Sequence, residues 1–263
     1  FLDLLLVEVF KMGVAGAAIA TIVSQILSAV LATAKLMRSK EAYRITLKGI
    51  GLHRKLLGRM LHIGIPAGLQ SSMYAISNMI IQVAVNLLGT ATVAAWSLSG
   101  KIDGFYWACS NAAGIAVMNF AAQNYGDRVH DCEKLSLKLF MGVTLLFSAL
   151  LLGVGRFLLP LFNDDAEVLA KTWQVMLYMV PLYFTWTYIE IISGVLRGIG
   201  DAVVPVIIIG VGVCLLRVVW IATVYRSHPT MLNVCLAYPI SWIVTDVAFF
   251  FYYRRVKWLY HIK

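Results

Sequence analysis

Charge is scarce in this 263-residue chain: Asp, Glu, Lys and Arg make up 13% of it, against 60% hydrophobic residues. A soluble domain carries about 25% charge, and a soluble chain this apolar would have no means of covering its surface. The mean hydropathy of +0.81 agrees. Cysteine is sparse too. The four, Cys109, Cys132, Cys214 and Cys235, are scattered, and no pair has metal-ligand spacing. They read as small packing residues, which excludes a disulfide framework and a zinc site. The chain has no Gly-rich phosphate loop and no Ser/His/Asp set, and Gly198-Ile199-Gly200 reads as a turn. It is therefore expected not to be an enzyme, and to need no cofactor and no metal. Its start, Phe-Leu-Asp, lacks Met and a charged leader. The N-terminal part of a longer protein is expected to precede it.

What the chain has is apolar length. A membrane-crossing helix needs about 20 mostly apolar residues. Seven stretches qualify, roughly 13–37, 61–88, 91–119, 136–161, 170–196, 202–224 and 231–253, and residues 1–10 read as the end of another span. The fold class is all-α, a polytopic transmembrane helix bundle embedded in the lipid bilayer. Gly89-Thr90 makes a very short joint, Asn163-Asp164-Asp165 a loop and helix start, and Gly198 to Asp201 a break before the sixth span. The segment 38–60 is basic with interspersed apolar residues, and reads either as a partly helical stretch on the membrane surface or as a solvated loop.

The formal net charge of +9 raises the question of nucleic acid. The basic residues cluster in short segments between apolar spans, so no nucleic-acid partner is expected. Sixteen of the 22 Lys and Arg residues fall in 35–59, 128–138, the joint at Arg197 and the tail 254–263; four fall on the opposite face. The positive-inside rule then places the 38–60 linker and the C-terminus in the cytoplasm.

A few charges sit within the apolar spans, where each costs roughly 2.5–3.5 kcal/mol on insertion scales. Lys101 and Asp103 lie in the third span and Glu190 in the fifth. They are candidates for ion coupling. A carboxylate in an apolar helix can exchange a proton, as a proton-coupled carrier requires, or form an ion pair with Lys101 or Arg217. Arg217, near Trp220, is expected to snorkel to the interface. The second span repeats polar residues about every fourth place: Gln70, Tyr74, Asn78, Gln82 and Asn86. That stripe reads as the wall of a hydrated cavity or as interhelical hydrogen bonding. Trp96, Phe105, Tyr106, Trp107 and Trp186 add rings that could line a site for flat or cationic molecules or simply pack.

These residues carry a family resemblance. Met12-Gly-Val-Ala-Gly-Ala-Ala-Ile-Ala-Thr21 resembles the sixth helix of multidrug and toxic compound extrusion (MATE) transporters. Gly64-Ile-Pro-Ala-Gly-Leu-Gln70 resembles the start of their seventh. Ala94-Ala-Trp96, the run from Gly100 to Trp107 and Gln123-Asn-Tyr-Gly126 are similar to the eighth and its exit loop. Ser193 to Asp201 with Pro205 is similar to the tenth-to-eleventh joint. The resemblance implies a two-lobe, twelve-helix antiporter. Residues 1–37 would end the N-terminal lobe, 38–60 would link the lobes on the cytoplasmic side, and 61–263 would form the six-helix C-terminal lobe. It further implies export of small organic, often cationic, compounds driven by sodium ions or protons. The setting would be a multi-pass protein of the plasma membrane, bacterial inner membrane by expectation, whose other partner is the rest of the N-terminal lobe. Two acidic positions of some members are Tyr74 and Trp186 here, which leaves Glu190 and Asp103 to act, or moves coupling to the other lobe. A flippase of lipid-linked saccharides, and a non-transporting receptor or assembly subunit, are the alternatives.

Topology is open to a direct check. A cysteine introduced by Lys48→Cys should stay unlabelled when a membrane-impermeant thiol reagent is applied outside intact cells. Labelling there would reverse the orientation.

Overall fold

The computed structural model describes residues 2–40, 44–46, 51–124 and 129–259. Within them the chain is helical, with no strand. Seven long helices take up the seven apolar stretches: α1 (Gly13–Arg38), α2 (Arg54–Asn86), α3 (Thr90–Gln123), α4 (Val129–Leu161), α5 (Ala166–Gly198), α6 (Val203–Tyr225) and α7 (Met231–Leu259). Among the described residues, five of them, α1 and α4 to α7, are long and apolar enough by composition to cross a membrane. The other two, α2 and α3, are 33 and 34 residues long and hold the polar stripe and the charged pair. Polar residues on one face lower their average apolarity without shortening them.

The chain divides into two compact units, Phe1–Arg59 and Met60–Lys263. In the first, a short helical stretch ends at Val9, and Lys11 and Gly13 turn the backbone with φ of 51° and 54° before α1 begins. The 38–60 segment is partly helical: 54–60 form the first turns of α2. Residues 44–46 and 51–53 are irregular, and from Arg54 the chain is already α2. Residues 41–43 and 47–50 of that segment, Tyr125 and Gly126 of the exit loop, and 260–263 of the tail lie outside the described residues.

The second unit is organised around α5. Ile189, Ile191, Ile192, Val195 and Leu196 are fully buried in one core with Trp242 and Phe249 of α7 and Val117 of α3. Lipid tails are as apolar as these side chains, so dispersion and close packing hold the helices together in the bilayer. Glycine permits that closeness. A Cβ on Gly194 would lie 2.9 Å from the Gly114 carbonyl oxygen of α3, and one on Gly198 2.5 Å from that of Met118.

Local signals set the helix ends. The Asp165 side chain accepts from the backbone N–H groups of Glu167 and Val168 and caps α5. Gly89 (φ 97°) makes the short turn between α2 and α3, and Gly200 (φ 97°) the one before α6. Pro181 interrupts α5 with a 3₁₀ turn at Val180–Leu182. There Ser148 of α4 donates to the Val180 carbonyl at 3.0 Å and Tyr106 of α3 to that of Tyr183 at 2.9 Å. A broken helix in lipid needs such side-chain donors. Two π-turns, Gly210–Leu215 and Ile221–Tyr225, distort α6.

The α3–α5 crossing makes a prediction. Gly194→Val forces a side chain into the Gly114 backbone, and overpacking of this kind costs about 1–3 kcal/mol or more. The intact protein should melt at a clearly lower temperature in detergent. Gly142→Val in α4, where a Cβ meets nothing within 4 Å, should melt near the unmodified value.

Candidate functional site

A cavity of about 550 Å³ opens within the second unit. One face of α2 supplies Tyr74, Asn78 and Gln82, spaced four apart so that they stack along the helix. From α3 come Trp96, Ser99, Gly100, Asp103 and Trp107, from α5 Met179 and Trp186, from α6 Arg217, and from α7 Tyr238. Rings make the floor. Trp107 and Trp186 meet edge to face at 5.3 Å, both lie 6.0 Å from Trp242, and Tyr238 is 5.8 Å from Trp242 and from Trp96. Tyr74 closes on Trp186 at 6.2 Å. Edge-to-face pairing, as at Trp107–Trp186, is a favoured geometry of aromatic quadrupoles.

Asp103 is 5% exposed. Ser99, one turn earlier, donates to its Oδ2 at 3.4 Å; Oδ1 and the hydroxyl of Tyr183, a close neighbour of the carboxylate, are both buried without a hydrogen bond among the described residues. Such an orphaned acceptor is costly in low dielectric. The Tyr183 hydroxyl can relieve it from within the protein, and a proton, a metal cation or a ligand's N–H from the cavity, so the arrangement can hold a cation against aromatic walls.

The site candidates read from the sequence part company here. Tyr74, Asn78, Gln82, Trp107, Trp186 and Asp103 line one cavity. Gln70 lies one turn before Tyr74, half-buried, and is not part of the lining. Lys101 is exposed on the other face of α3 and makes no ion pair with Asp103 or Glu190; two residues apart on a helix, the two side chains of α3 diverge by about 200°. Glu190 also stands outside the lining. Its carboxylate packs against Gly114, where a Cβ would collide with it, and lies 4.0 Å from Arg197 of its own helix. The expected pairing with Lys101 or Arg217 is corrected to Arg197, seven positions and two turns along the same face.

Two further readings change. Phe105 is 68% exposed and points away from the cavity, stacked on Phe147, while Tyr106 is buried with its hydroxyl bonded to the α5 backbone. Arg217 does not snorkel. It is 3% exposed, its Nε donates to Ser241 Oγ at 3.0 Å, and its guanidinium lies 4.0 Å from the centre of the Tyr238 ring. Sequence reasoning missed Arg217 and Tyr238 as wall residues. The π-turn just before Arg217 rotates it relative to a regular helix, and no periodicity reports that. An Arg inside an apolar run was the available signal for a wall position.

Known proteins resemble this chain in sequence and fold. The MatE family model matches residues 66–223. The probable multidrug resistance protein YoeA of Bacillus subtilis (strain 168) is 26% identical over 264 residues, 94% of this chain and 55% of its own length. The probable multidrug resistance protein YpnP of the same strain is 25% identical over 258 residues, 97% of this chain and 57% of its own length. A crystal structure of MATE in complex with MaL6 shares the fold with a TM-score of 0.86 at 18% identity, over 99% of this chain and 60% of that one. The chain thus spans a little over half the length of these relatives.

The wall assignments can be tested by chemistry that needs water. A thiol reacts as its thiolate, which forms in water and not in hydrocarbon, so Asn78→Cys should react at least ~10-fold faster with a small polar thiol reagent than Phe105→Cys. Equal rates would mean that the stripe on α2 is dry.

Proposed function

The chain belongs to the MATE family, and from that premise we propose that it forms the C-terminal part of a two-lobe antiporter exporting organic compounds in exchange for sodium ions or protons. The observation that carries the reading is Asp103: a buried carboxylate with one unpartnered oxygen, in the wall of an aromatic cavity within a bundle of membrane-length helices. The names of YoeA and YpnP, probable multidrug resistance proteins, support export of varied compounds. Ring surfaces and few directional contacts suit a site that tolerates varied shapes.

In this reading Asp103 is the coupling acid. A cation or proton on it stabilises one state of the cavity, and a cationic substrate on the same oxygens stabilises another. Differential affinity of this kind is what shifts a conformational equilibrium. Tyr74, Trp107 and Trp186 hold the substrate, and Asn78 and Gln82 keep its path hydrated. Glu190 with Arg197 braces α5 against α3, a positioning role, and Lys101 takes no part. The N-terminal lobe of the same protein supplies the facing half of the path. The whole sits as a multi-pass protein in the plasma membrane, its C-terminus in the cytoplasm. A flippase of lipid-linked saccharides would call for several cationic groups around its phosphates. Among the described residues the wall carries one, Arg217.

Asp103→Asn keeps volume and removes charge. In the full-length protein at matched expression, ion-driven efflux of a cationic dye should fall at least about tenfold, equivalent to ~1.4 kcal/mol in a barrier. Glu190→Gln should reduce it less. Near-normal efflux by Asp103→Asn would remove Asp103 from the coupling step.

A further inference from the structure

The antiporter reading uses the acid of the cavity wall and leaves its base without a task. Arg217 is almost fully buried and lines the same cavity as Asp103. No carboxylate pairs with it: the ion pairs among the described residues are His130–Glu133, Lys171–Glu167 and Arg197–Glu190. What it has is a fixed pose. Its Nε–H donates to Ser241 Oγ at 3.0 Å, and Ser241 is itself held by donating to the Tyr238 carbonyl at 2.7 Å. The Tyr238 ring covers the guanidinium at 4.0 Å and Trp242 stands at 5.9 Å. A guanidinium carries five N–H donors in a rigid fork. Among the described residues the only hydrogen bond of that fork runs from Nε to Ser241, and the two Nη groups make none. A stacked, oriented guanidinium with free Nη groups matches the two oxygens of a carboxylate. A lysine could not be held flat in this way.

We propose that Arg217 forms a carboxylate-binding subsite, and that the cavity takes aromatic solutes bearing a carboxylate. The proposal rests on the reading of this cavity as the transport site and names the substrate class it favours. Charge complementarity carries it. An aromatic cation without an acid group would satisfy Asp103 and leave the buried positive charge of Arg217 in the same cavity wall without a counter-ion, which is costly in low dielectric. A carboxylate removes that cost. Where the solute also carries an amine, the amine meets Asp103 Oδ1, and the ring system lies among Trp107, Trp186 and Tyr238. The volume of about 550 Å³ falls in the range of sites for drug-sized molecules.

Two dyes isolate the carboxylate. Rhodamine 110 carries it free, and rhodamine 123 is the methyl ester of the same ring system. Binding to the full-length protein in lipid nanodiscs, without any gradient, can be followed by fluorescence anisotropy. Rhodamine 110 should bind about tenfold more tightly than rhodamine 123, the scale of one charge-assisted hydrogen-bonded pair. Arg217→Gln should bring the ratio close to one, and Arg217→Lys should keep part of it. Equal binding of the two dyes by the unmodified protein, or a preference that survives Arg217→Gln, would overturn the subsite. If Arg217→Gln does not fold, the ratio for the unmodified protein and for Arg217→Lys decides: parity overturns the proposal, and a graded loss supports it. Gradient-driven efflux from vesicles is read separately. Dye preference without efflux would keep the subsite and remove the antiport reading; efflux without preference would do the reverse.

Discussion

Where α3 crosses α5, Gly114 meets Gly194 backbone to backbone, and the spacing set there is the one every other part of the cavity inherits. In lipid, two helices gain nothing by hiding apolar side chains from water, so their attraction depends on how closely their surfaces fit. Small residues bring these two within touching distance over several turns. Tyr106 then stacks on Tyr183 at 4.3 Å, and Trp107 reaches Trp186. The interruption at Pro181 is made tolerable by the same closeness, since Tyr106 of α3 is near enough to satisfy an α5 carbonyl. A wider crossing would lose the ring floor and leave that carbonyl bare.

Three charges within the spans of the second unit are handled in three different ways. Glu190 faces Arg197 of its own helix at 4.0 Å. Asp103 is held by a serine one turn away, with one oxygen left over. Arg217 is held by a hydroxyl and two aromatic faces. A desolvated cation over a ring gains about 2 kcal/mol, against a burial cost of several kcal/mol per ion. Only the first sets a charge against its opposite. The other two are incomplete on the same cavity wall, and this separates the residues that hold the bundle together from those available to a solute.

Much of this was legible in the sequence. Helix positions follow from runs of apolar residues, since hydrocarbon thickness sets their length. The Asp165 cap and the turns at Gly89 and Gly200 are chemical signals that act over a few residues. The α2 stripe was readable because a regular helix keeps every fourth residue on one side. Neighbours across helices were harder. Glu190 and Arg197 share a face of α5, but Lys101 and Arg217 were equally plausible partners until the α3 face was known. The direction of Arg217 around α6 depends on the extra residue that a π-turn inserts before it, and no regular periodicity reports that. Phe105 and Tyr106 stand about 100° apart around α3, and it is packing against α5 that buries Tyr106 and leaves Phe105 outside.

The turn between α2 and α3 is three residues long, Leu87 to Gly89. A chain of that length reaches no more than about 10–11 Å, so the two helices are leashed at that end like the arms of a pair of tongs. Their other ends have no such tether. Any parting of α2 from α3 must therefore be a splaying about Gly89, widest farthest from the turn. Gln82, one turn from the α2 end of the leash, would hardly move, while Tyr74, two turns farther along, would swing through a larger arc.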